Sequence, residues 1–328
     1  MIMQLSRWRL LARWFLAAAV LALSACAGMQ QGPPDKLHPA DTYATLQGGD
    51  AVADLAGGAT WPAGKAMTYL SVSPDGQLVL ATASAENRVY AYRTDSGEQV
   101  ATIDVGASPK GVKIDPEGEY ALVANEESGS VSIIDLEQLA VAKEVAVGPT
   151  PHNSVFSPGG ARAYVTLQGA SEVAVVDMDR MVKTGELPAG ESPHNIDIAP
   201  DGKRLYTANI GSKDVTVIDL AKGKVIASIP LSPPHYGLDV TPDGRYVFAT
   251  GIAGSVVNVI DANSLERIKQ IEVGQGPHGV RTGADGRYVY VAVTGPSEVA
   301  VIDIQTMQVV GSLSPGERPF WIAVRGNQ

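Results

Sequence analysis

The chain has 328 residues, 45% of them hydrophobic, and its 35 Asp and Glu outnumber its 25 Lys and Arg to give a formal net charge of −10. That acidic balance argues against nucleic acid as a partner, because phosphate contacts need clustered cations. The single Cys rules out an intrachain disulfide, and the length suits either two domains or one large repeat array.

In chain order, Arg7, Arg9 and Arg13 precede an apolar run from Trp14 to Leu23, followed by Ser24, Ala25 and Cys26. The run is short for a bilayer span and reads as a removable signal over residues 1–25. It resembles a bacterial lipoprotein signal, and the resemblance implies that Cys26 becomes the lipidated first residue, holding the protein at a membrane on the periplasmic side. Ala27 stands where an Asp would divert such a protein from the outer membrane, so the outer membrane is the expected address. Residues 26–42, rich in Pro, Gly and polar side chains, read as a solvated tether. The remainder, 43–328, is the expected folded domain.

From residue 73 onward the sequence repeats. "SPDG" 73–76, "DPEG" 115–118, "SPGG" 157–160, "APDG" 199–202, "TPDG" 241–244 and "GADG" 283–286 follow one another at steps of 42 residues. "VSIID" 131–135, "VAVVD" 173–177, "VTVID" 215–219, "VNVID" 257–261 and "VAVID" 299–303 keep the same step. Each unit holds four short β-branched runs separated by Gly, Pro, Asp or Asn, which predicts an all-β propeller with one four-stranded blade per unit.

The elements "YVTL" 164–167, "LVAN" 122–125, "YTAN" 206–209 and "YVYVAV" 288–293, with the "SPDG" turns, resemble the YVTN-repeat β-propellers. The resemblance covers about 66–328 and implies architecture rather than task, since that family serves unrelated functions. Seven innermost strands start near Thr68, Lys110, His152, His194, Tyr236, His278 and Phe320. The last lacks partners downstream, so "YATLQ" 43–47 and "AVADLA" 51–56 are expected to close a seven-bladed ring with a three-stranded blade; six blades are the alternative. The segment "GGATWPAGKA" 57–66 lacks the spacing and hydroxyl of a phosphate loop and reads as a connection.

Strand alternation sends Lys113, Asp197, Asp239 and Arg281 into the central channel. Asp197 and Asp239, on adjacent blades, are weak catalytic candidates, set against a channel whose charges merely compensate. At the mouth, four of the five His, His152, His194, His235 and His278, directly follow a Pro at one repeat position. Lys110, Asn125, Glu126, Asn153, Asn195, Asn209, Tyr236, Phe320 and Trp321 are expected to support them on the same face. Clustered neutral imidazoles suit copper or zinc, and the haem-binding propellers of nitrite reduction use such histidines in a similar way. The same positions suit a haem-like or other organic ligand beside aromatic walls, and duplication of one capping His explains them without any ligand. No Gly-x-Ser-x-Gly elbow or His-Glu-x-x-His motif is present. The expected function is a lipid-anchored module that binds a small ligand or periplasmic protein through this mouth. A metal- or cofactor-binding protein and a lactonase-like hydrolase are the alternatives.

Overall fold

The computed structural model describes residues 41–231 and 237–327. The signal, Cys26 and most of the tether lie outside these residues, as do His235 and Tyr236. The described chain forms seven four-stranded antiparallel sheets. Each is a blade whose innermost strand, A, is followed outward by B, C and D.

Blades 1 to 6 take their A strands from Met67–Val72, Pro109–Ile114, Pro151–Phe156, Pro193–Ile198, Gly237–Val240 and Pro277–Thr282. Blade 7 joins Pro319–Val324 to Thr42–Leu46, Ala51–Asp54 and Thr60–Pro62, in that order. The closing blade is therefore four-stranded, one strand more than expected. The extra strand lies inside the segment read as a connection, where Trp61 pairs with Val52 and packs between Tyr43 and Tyr92.

The repeated turn signals have direct physical roles. Gly76 of "SPDG" sits at φ 77°, a conformation open to Gly, while Asp75 Oδ1 accepts the Gln77 amide at 2.9 Å. The Asp that ends each Val-rich C strand closes the next turn: Asp177 Oδ1 accepts from Arg180 N, and Asp219 Oδ1 from Lys222 N. Alternating Val, Ile and Ala fill the space between blades, where almost every B- and C-strand apolar residue is buried.

Blades are joined near the axis by a set of threonines. Thr166 Oγ1 accepts from Asn153 N at 3.0 Å and donates to the His194 carbonyl of the next blade at 3.2 Å. Thr45, Thr82 and Thr250 make the equivalent bridges to Thr68, Lys110 and His278. Ala124, Ala208 and Ala292 hold the corresponding positions of the intervening blades. Replacing Thr166 by Val keeps the shape but leaves a buried amide without its acceptor, which is expected to cost about 2 kcal/mol in urea denaturation; unchanged stability would show that the bridge carries no weight.

Candidate functional site

The mouth is built by irregularity in the A strands. In blades 1, 2, 3, 4, 6 and 7 the pairing of A with B slips by one residue just after the strand begins, between Pro151 and Ser154 in blade 3. Such a bulge sets two residues against one and re-aims side chains. The histidines thus stand within the A strands, which begin at the preceding Pro, rather than in the connections before them.

Ring contacts between non-adjacent blades show convergence on the axis. His152 of blade 3 meets Tyr69 of blade 1 with centroids 5.6 Å apart, and His194 of blade 4 meets His278 of blade 6 at 6.2 Å. His152 and His194 lie 3.8 Å apart, as do the stacked rings of His278 and Phe320. Tyr69 packs on Trp321 at 4.6 Å and edge-on to Phe320 at 6.0 Å. One cluster therefore gathers three predicted imidazoles, Phe320 and Trp321, with Tyr69 as a further member. On the rim, Lys110 pairs with Glu126 at 3.1 Å.

Burial favours the neutral form of His152 and of His278. Burial, with His194 and Lys110 nearby, drives the His152 pKa well below the usual value. Burial and His194 lower that of His278 to about 3. His152 Nδ1 lies 3.1 Å from the His194 carbonyl, which can only accept, so Nδ1 carries the proton and Nε2 the lone pair. Among the described residues, no group of three or more His, Cys, Asp or Glu is arranged to hold a metal ion. With His152 against His194 and His278 against Phe320, the rings meet one another instead of sharing a focus.

Below the rings lies a layer of polar side chains. Asn153 Nδ2 donates to Asn195 Oδ1 at 3.0 Å, and the relay ends there because the next blade has Gly237 at this position. Asn195 Nδ2 and the Tyr69 hydroxyl are buried and have no hydrogen-bond partner among the described residues. Asn125 and Asn209, expected at the mouth, instead turn into their own blades. Asn125 bonds Ser132 and Glu144, and Asn209 bonds Asp214 and Thr216, where each secures the turn between strands B and C.

The channel charges form the next layer. Asp197 accepts from Ile198 N and, across the blade boundary, from Val240 N at 2.7 Å. Asp239 accepts from Thr282 N of the next blade at 2.7 Å, pairs with Arg281 at 3.3 Å and is capped by the Asn327 amide. Burial raises both carboxyl pKa values, that of Asp239 to about 6. These two aspartates staple neighbouring blades through backbone amides. Arg281 lies 5.0 Å beneath the Trp321 ring and so links the two layers.

The family model described as "Lactonase, 7-bladed beta-propeller" matches residues 54–316. No curated protein matches the sequence. Hydrazine synthase of Kuenenia stuttgartiensis is 22% identical with a TM-score of 0.71, over 80% of this chain and 90% of that one. A functionally unknown protein from Desulfotomaculum acetoxidans DSM 771 is 15% identical with a TM-score of 0.75, over 88% and 99%. The dihydro-heme d1 dehydrogenase NirN in complex with DHE is 21% identical with a TM-score of 0.65, over 87% and 66%. At these identities the likeness is one of fold.

The buried imidazoles give a signed pH dependence. An unfolded His takes a proton near pH 6.5, whereas folded His278 does so only near 3. The unfolded state therefore binds more protons between these values, and stability falls as pH drops through that window. Asp239 works in the opposite sense, because its folded pKa of about 6 lies above the unfolded value. His278→Gln is expected to lose less stability than wild type between pH 7 and 4.5 in urea titrations, and parallel losses would refute the assignment.

Proposed function

Since the chain belongs to the seven-bladed β-propeller lactonase family, we propose that it is a binding module whose mouth takes a small, flat ligand carrying oxygen acceptors, such as a lactone or an aromatic carboxylate. The observation that carries this reading is the pairing of a ring-lined mouth with two buried donors, the Tyr69 hydroxyl and Asn195 Nδ2, that have no acceptor among the described residues. Leaving such donors unmatched costs about 1–3 kcal/mol each, a penalty that a ligand oxygen removes. Aromatic and imidazole faces supply the walls that a planar molecule needs.

The "LSAC" signal supports lipidation at Cys26 and a periplasmic, outer-membrane address. The repeat motifs support a likeness to the YVTN-type propellers. Asp41 meets Arg325 at the lower end of the A strands, opposite the mouth.

Lactone hydrolysis at the same mouth is the second reading, favoured by the family. His152 Nε2, with its lone pair fixed by the Nδ1 contact, is the group able to accept a proton from an attacking water. Asp197 and Asp239 serve the ring rather than the reaction.

The test is a panel of γ- and δ-lactones, benzoate and hemin, read by thermal shift, Trp321 emission and acid release. At least one member is expected to raise the melting temperature. Tyr69→Phe should leave the free protein as stable as wild type or about 1 kcal/mol more so, yet weaken binding several-fold. Hydrolysis requires acid release that His152→Gln abolishes. No response to any compound would overturn the binding reading.

A further inference from the structure

The lower end of the channel opens into a cavity of about 280 Å³ that is separate from the mouth. Its walls come from the repeated turns, with Pro116, Pro158, Pro200 and Pro242 around Phe156, and Lys113 and Asp197 lie at its inner end. Lys113 is buried, with 7% of the residue exposed, and among the described residues its amine makes no hydrogen bond or ion pair. The nearby anions are committed elsewhere. Asp197 holds two backbone amides, and Asp239 holds Arg281, Thr282 N and Asn327.

We propose that this cavity is a second small-molecule site, in which Lys113 Nζ captures an apolar aldehyde or ketone as an imine. The proline-lined walls suit a hydrocarbon chain, and Lys113 stands among the residues that line the same cavity. The nitrogen lone pair adds to that carbon, the carbonyl oxygen departs as water with two protons from the amine, and protonation of the C=N bond gives an iminium. The iminium carries the same charge as the ammonium it replaces, so Asp197 and Asp239 balance it as before. No oxidant or reductant is consumed.

Desolvation beside a second cation is an established means of making a lysine nucleophilic. Burial and Arg281 lower the Lys113 pKa to about 7, with Asp197 and Asp239 acting in the opposite direction. At neutral pH a large share of this amine is unprotonated, against well under one in a thousand for a solvated lysine near 10.4.

The experiment treats the intact protein at pH 7 with butanal and cyanoborohydride, which reduces an imine to a stable secondary amine, and follows each lysine by peptide mass spectrometry. Lys113 is expected to be alkylated at least about tenfold faster than the exposed Lys143 and Lys224. Lys113→Met, which should fold, is expected to lose this fast phase alone. Labelling of Lys113 no faster than those two lysines would overturn the proposal. So would fast labelling by formaldehyde but not by butanal, because the cavity would then admit no apolar carbonyl compound. Neither result depends on what the mouth binds.

Discussion

Crowding around the axis is the constraint from which most of this structure follows. Seven A strands meet there, and no layer has room for seven full-sized side chains. In the layer that holds Tyr69, Asn153, Asn195 and Trp321, the other three positions are Gly111, Gly237 and Gly279. A Cβ at Gly279 would lie 2.8 Å from the Trp321 Cα and 3.1 Å from its ring, and one at Gly111 would lie 2.4 Å from Asn153 Oδ1. Two large rings are thus accommodated on one side of the channel because their neighbours have none. The same economy of space explains why a symmetric repeat yields an asymmetric site.

Crowding also decides what polar groups can do. Close to the axis, side chains from the preceding blade accept from backbone amides of the next A strand: Ser71 from Ile114, Asp197 from Val240, Asp239 from Thr282. A carboxylate accepting backbone N–H groups is stabilised as an anion, which opposes the rise in pKa that burial causes. Carboxylates that look like a catalytic pair in the sequence are in this setting part of the ring's construction. The threonine bridges act in the same way one layer higher, and Thr166 holds the His194 carbonyl that the His152 imidazole meets.

The 42-residue step made the blades, the channel-facing charges and the gathering of His152, His194 and His278 legible, because equivalent positions in a ring must become neighbours. Other features have no such signal. Thr60–Pro62 is three residues long and flanked by Gly and Pro, too short for a period of two to register. The A-strand bulges leave no mark in composition, so alternation alone gives no sign that the first residues of each A strand are re-aimed. The loops that follow Asn125 and Asn209 lie at the mouth end, which says nothing of where the two amides turn. The polar residues seven positions on, Ser132 and Thr216, were the available sign that these amides turn inward. The third residue of "YVTL", Thr166, recurs as Thr82 and Thr250 at steps of 84, and this alternation with Ala could have exposed the inter-blade bridge.

The closing blade has a mechanical consequence. Thr42–Leu46 lies between Pro319–Val324 and Ala51–Asp54, hydrogen-bonded to both. A pull applied through residue 41 is directed along this strand, so the bonds on its two edges are loaded together in shear. A strand at the rim of the same sheet would instead peel away one bond at a time. Force arriving through the N-terminal segment is thereby spread over two ladders at once, and the ring resists opening at the very blade where the chain's two ends are joined.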